Sequence, residues 1–243
     1  MMVELKEQKF REGPTWPRRR WRYFAQVGAI VWKDVVVEYR SKGVVLTMAV
    51  FTLLVLVLFN FAFGPGAGRE VPVASGILWT AFLFAAVLGM NHTFALEKEG
   101  GCMQGLLLSP IDRSALFLGK MLGNLVFLLV VEAVSLPLFG ILYNLPLPLV
   151  VWTLAPIVLL ATVGLGSVGS LFASIAVNTK AREVMLPLLF FPVAVPVLIA
   201  AVRGTAAVLA GEGLGGDALR FLVVYDVVFL VASLLVAEYV LEE

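Results

Sequence analysis

Six runs of about twenty mostly apolar residues, each long enough to cross a hydrocarbon core of roughly 30 Å as a helix, decide what this chain can fold into. They span approximately residues 44–63, 75–92, 116–143, 149–177, 183–202 and 221–240. Within a bilayer every backbone amide and carbonyl must find a partner inside the protein, and runs of this length do so as helices. The fold class that follows is an all-α integral membrane protein with six transmembrane helices. A single six-span domain covers 21–243, and the basic extension 1–20 reads as flexible. That extension is too charged for a cleaved signal peptide, so it is expected to stay on the mature chain.

Composition agrees and removes several classes of function. With a mean hydropathy of +0.97 and 14% charged residues in 243, the chain holds more apolar surface than one soluble core could hide. A net charge of +1 offers no general attraction to nucleic acid. One cysteine, Cys102, cannot form an internal disulfide, and it has no histidine or cysteine companions for a zinc site. The single histidine, His92, stands at the end of the second run without an axial partner, and reads as an interfacial group and not as a haem ligand.

The breaks between the runs carry turn residues: GPGAGRE, then EKEGGCMQGLLLSP, NLPLP, NTKARE and GEGLGGD. Ten lysines and arginines precede the first span; Lys98, Arg113 and Lys120 surround the second break, and Lys180 and Arg182 follow the fourth. Only Arg69, Arg203 and Arg220 fall on the opposite side. The positive-inside bias therefore predicts a multi-pass protein of the cytoplasmic (inner) membrane, with both termini in the cytoplasm. Ahead of the first span, Phe24, Val27, Val31, Trp32 and Val35 share one arc of a helix, while Arg22, Gln26, Lys33 and Arg40 gather opposite, with Asp34 and Glu38 flanking. This is the pattern of an amphipathic helix lying in the interface plane.

A membrane protein that moves something draws energy from an ion gradient or from a nucleotide. The chain has no phosphate loop: its one Gly-Lys pair, Gly119 and Lys120, lacks both the earlier glycine and the following hydroxyl. ATP, if used, is hydrolysed by a separate subunit. The cytoplasmic stretch Glu97–Pro110 is the best candidate surface for such a partner, against the plainer reading of an ordinary polar loop. Glu97 and Glu99 offer charge, Gly100 and Gly101 a tight turn, and Gln104 and Leu107 belong to a short segment returning to the bilayer.

Two acids interrupt apolar spans, Glu132 about 16 Å and Asp226 about 8 Å from the outer ends of their helices, and Arg203 at the outer end of the fifth span could join them in a polar cluster. Packing support is the more ordinary role for both acids. Gly119 and Gly123 form a G-x-x-x-G face from which Glu132 projects roughly 200° away. Thr162, Gly166, Gly169, Ser170 and Ala173 mark the packing face of the fourth span. Pro187, Pro192 and Pro196 predict a kinked fifth span, and Arg203–Asp217 reads as a short re-entrant or capping element before the sixth.

The run ALEKEGGCMQGLLLSPIDRSALFLGKML, from Ala95 to Leu122, resembles the cytoplasmic segment of type-2 ABC exporter permeases. More narrowly it resembles CcmB, a family of haem exporter permeases of cytochrome c maturation. FNFAFGPG at Phe59–Gly66, GILW at Gly76–Trp79 and FFPVAVPVLIAA at Phe190–Ala201 fit that family in order. The resemblance implies a non-catalytic membrane protein that binds no cofactor itself. It implies ATP on a partner ATPase, CcmA, and haem handled by a complex with CcmC and the small subunit CcmD. ATP hydrolysis there is linked to release of the haem-loaded chaperone CcmE, and a dimer of permease subunits is implied. Two other classes are weighed on residues. A secondary transporter would run protons through Glu132 and Asp226 without an ATPase. An intramembrane serine protease would use Ser167 or Ser170, but GLGSVGS lacks a paired histidine.

Overall fold

The computed structural model describes residues 16–64, 71–99, 112–146, 148–176 and 182–240. Seven long helices account for most of them. They are α1 (Trp16–Ser41), α2 (Gly43–Phe63), α3 (Val71–Glu99), α4 (Arg113–Leu142), α5 (Leu154–Ala176), α6 (Arg182–Leu209) and α7 (Gly216–Val240). A π-helical turn, Leu149–Thr153, leads into α5. All but α1 are long and apolar enough to cross a membrane, the spanning portions being Gly43–Phe63, Val71–Asn91, Arg113–Leu142, Val151–Ala176, Val184–Leu209 and Gly216–Val236.

α5 occupies the middle of the bundle, touching α3, α4, α6 and α7. Its small residues explain the position. Thr162, Gly166, Gly169, Ser170 and Ala173 are all buried, as the stripe predicts, and Gly164 and Ser167 extend the small surface around the helix. In lipid, helix association gains little from hydrophobicity, and close backbone approach with interhelical hydrogen bonds carries much of it. Such bonds tie the outer helices together. Trp79 Nε1 on α3 donates to Thr205 Oγ1 on α6 at 2.9 Å, Asn60 Nδ2 on α2 donates to the Leu142 carbonyl at 2.7 Å, and the Tyr143 hydroxyl donates to the Leu56 carbonyl at 3.3 Å.

α6 continues through Pro187, Pro192 and Pro196 as one helix. Between the last two prolines the Val193 carbonyl accepts the Tyr225 hydroxyl of α7 at 2.7 Å, so a neighbour serves the disturbed stretch. The Phe190–Ala201 motif supplies the face that α6 buries, through Phe190, Ala194, Val197 and Ala201.

Two expectations are corrected. Arg203–Asp217 is not a separate re-entrant element: α6 runs on to Leu209, a tight turn follows, and α7 begins at Gly216. Gly211, Gly213 and Gly215 take positive φ in that turn, a conformation open to glycine at little cost, so the glycines reverse the chain within a few residues. The second correction concerns α1. One edge of its apolar arc packs inside the protein: Val27 is buried together with Ile30, Asp34 and Glu38, while Phe24 and Trp32 of the arc stay 62% and 71% exposed. The two acids expected at the flank lie in the packed face because each finds a partner there, Asp34 the Lys120 ammonium of α4 and Glu38 the Val45 amide of α2.

Candidate functional site

That seat is the G-x-x-x-G face of α4. A Cβ at Gly119 would lie 2.8 Å from Ile30, and one at Gly123 would lie 3.3 Å from Asp34 Oδ2, so α1 rests where α4 has no side chains to hold it off. Between the glycines, Lys120 Nζ donates to both Asp34 oxygens at 3.0 and 2.8 Å, in a pair buried on both sides. Lys33 adds a longer contact of 3.2 Å from a partly exposed position. A buried pair of this kind contributes little net stability against an apolar equivalent, but removing one partner leaves a charge in a dry site. One turn further on, Glu38 Oε1 accepts the Val45 amide at 2.8 Å, and Ser41 Oγ donates to Glu38 Oε2 at 3.4 Å. Glu38 thus satisfies an orphan donor of the first turn of α2, across a bend where Lys42 takes φ 54°. α1 is joined to α2 through Glu38 and to α4 through Asp34, whose partner Lys120 lies 86 residues along the chain.

The stretch nominated for a partner lies between α3 and α4. Glu97 and Glu99 are described only as the last backbone turns of α3; Gly100, Gly101, Gln104 and Leu107 lie outside the described residues, as does the His92 side chain. The first described residue beyond, Asp112, stands as the N-cap position of α4, and Lys120 follows about two turns later. The segment therefore feeds directly into the helix that holds α1.

Glu132 faces the other way, as its angle from the glycine pair predicts. It is buried against α5, where Thr162 Oγ1 sits 2.8 and 2.9 Å from its two carboxylate oxygens and 2.7 Å from the Val158 carbonyl. One hydroxyl proton serves one of these acceptors at a time. Asp226 meets the opposite side of α5: a Cβ on Gly164 would lie 2.7 Å from its Oδ1. The group is only 7% exposed, and neither carboxylate oxygen has a hydrogen-bond partner among the described residues. α5 thus has an acid on each side, with Thr162 turned to one and Gly164 to the other. Arg203 joins neither. It is exposed on α6 beside Phe221 of α7, and the described residues show no ion pair between it and either acid. Ser167 donates to the Gly164 carbonyl at 3.0 Å and receives Ser233 on its own carbonyl at 3.2 Å, a helix-packing arrangement.

Sequence reasoning finds Glu132 and Asp226 but not Thr162 as a partner, and it counts Lys120 only as a loop-side positive charge. The missed signal is position: Lys120 stands inside an apolar helix, where an ionisable group needs a partner by default.

Glu132→Gln keeps an acceptor and adds a donor toward Thr162, so it is expected to change unfolding stability by no more than about 1 kcal/mol and to preserve assembly and activity. Asp226→Asn, with no described bond to lose, is expected to behave likewise. Intact assembly with abolished activity in either variant would show that the acid carries transport chemistry.

The fold and these contacts define an all-α membrane protein with six spans, an additional N-terminal helix clamped to the third span, and a connecting segment leading into that span. Comparison with known sequences narrows this class. The family described as CcmB protein matches residues 25–242, and the chain belongs to it. It is 33% identical to Heme exporter protein B of Rhodobacter capsulatus over 70% of this chain and 78% of the relative. It is 32% identical to the protein of that name from Paracoccus denitrificans over 80% and 87%, and 30% identical to that from Pseudomonas aeruginosa over 71% and 77%.

Proposed function

We propose that this chain is the permease subunit of an ABC-type complex of cytochrome c maturation, coupling ATP hydrolysis on a partner ATPase to release of the haem-loaded chaperone. The family match across nearly the whole chain is the observation that carries this reading. In it ATP sits on CcmA, haem is handled by the complex with CcmC and CcmD, CcmE is the chaperone released, and this chain supplies no cofactor ligand and no catalytic group. Both termini face the cytoplasm, with Glu97–Pro110 on the side of the ATPase, consistent with the distribution of lysines and arginines. Two copies, or one copy with a related membrane subunit, surround the ATPase pair.

Motion enters through the segment between α3 and α4. A push on it reaches the first turns of α4, and the Lys120–Asp34 pair carries α1 along. Glu97 and Glu99 steer docking. Reversing both to Lys should weaken ATPase binding, more at low salt than at high, because charges at an interface rim are screened beyond a Debye length of about 10 Å at 0.1 M. Purification of the chain from its native membrane, with the co-eluting proteins identified, tests the reading: an ABC ATPase subunit is expected at every salt concentration that keeps the complex intact.

The secondary-transporter reading has one observation in its favour, the buried carboxylate of Asp226, which has no hydrogen-bond partner among the described residues. It requires full activity without any ATPase, and the same purification together with a nucleotide-free activity assay separates the two.

A further inference from the structure

α6 and α7 leave a groove of about 570 Å³ beside their connecting turn, walled by Pro196, Ile199, Ala200, Arg203, Ala207 and Phe221 among others. Its walls are apolar apart from two charged groups, Arg203 and Asp217. Asp217 is fully exposed and lies 3.6 Å from Arg220, whereas Arg203 has no ion pair with another described residue. Arg203 is also the one ionisable residue of the spanning stretch Val184–Leu209, six residues before its end and so about 9 Å down the helix axis. A cation on the outer wall of a spanning helix is costly in hydrocarbon unless an anion meets it at headgroup level. The groove has a matching polarity. From Arg203 it extends toward the middle of α6 as far as Pro196, about 10 Å deeper, with Phe221 of α7 as its opposite wall.

We propose that this groove is a binding site for one anionic phospholipid. The guanidinium takes the phosphate through paired N–H donors, a geometry that arginine offers and lysine does not. An acyl chain lies along Ile199, Pro196 and Phe221. The site needs nothing from the coupling reading; it rests on the spanning helices and the charge at their surface.

Native mass spectrometry of the full-length chain, titrated in detergent with phosphatidylglycerol or phosphatidylcholine, tests it. The parent should retain one phosphatidylglycerol in clear preference to phosphatidylcholine. Arg203→Ala should weaken that retention about tenfold, the loss typical of one charge-assisted contact. Gly216→Phe, at a lining position with open space around its missing Cβ, keeps the arginine and should weaken retention similarly by occupying the groove. Equal retention of the two lipids by the parent, or parent-like retention in both variants, would overturn the proposal. So would a photoreactive side chain at position 199 that joins to a second copy or a partner helix in membranes and not to lipid.

Discussion

Lys120→Met is expected to destabilise the chain by about 3 kcal/mol, because it strands the Asp34 carboxylate in the contact between α1 and α4. Lys33 remains 3.2 Å from Oδ1, on a side chain that is 40% exposed, and this second cation places the loss at the lower end of the range for a broken buried pair. The double variant Asp34→Leu with Lys120→Met removes both charges from the same site and should recover most of the loss, since an apolar pair of similar volume satisfies itself by packing. Denaturant unfolding in detergent, followed by circular dichroism, reads both. Equal destabilisation in the single and double variants would mean that the pair holds α1 to α4 by more than charge compensation. The functional counterpart follows from the same geometry. If α4 relays motion to α1 as proposed, releasing α1 breaks that relay, so the single variant should lose activity beyond what its reduced abundance explains.

Leu107→Asp is expected to abolish coupling at any salt concentration. The residue stands in the apolar run of the connecting segment, and under the proposed docking a carboxylate placed in an apolar contact loses its hydration without gaining a counter-charge. This distinguishes it from the charge reversal at Glu97 and Glu99, whose effect is electrostatic and therefore screened. ATPase retention on the immobilised chain, measured across a salt series for both variants, should give a salt-dependent loss for the charge reversal and a salt-independent loss for Leu107→Asp. Parent-like retention in both would reduce the segment to a plain connector.

Much of the architecture is legible because hydrophobic length and small-residue spacing are local properties. The six spans, the buried stripe of α5 and the opposed directions of Gly119 and Glu132 on α4 all follow from counting residues along one helix. The partners are a different matter. Asp34 meets Lys120 across 86 residues, Trp79 meets Thr205 across 126, and no periodicity within either segment names the other. The same reason accounts for α1: its apolar residues describe an amphipathic helix correctly, but which face is covered depends on glycines in α4. The turn before α7 is ambiguous in composition, since a run rich in glycine and alanine can either continue a helix or break it, and here Arg203–Leu209 continues while the glycines beyond do the breaking. Glu132 and Asp226 stand out because acids in apolar spans are conspicuous; that one is bonded and the other has no described partner depends on α5.

The central claim is that this chain transmits ATP hydrolysis in a separate subunit to release of a haem-loaded chaperone. The measurement that bears on it most directly is chaperone release from proteoliposomes assembled with and without this chain, in the presence of the ATPase and the haem-handling proteins. The account predicts release that requires both this chain and ATP hydrolysis, that fails with Leu107→Asp, and that persists when the proton gradient is collapsed. Release that proceeds without this chain or without hydrolysis, or that stops when the gradient alone is removed, would contradict it.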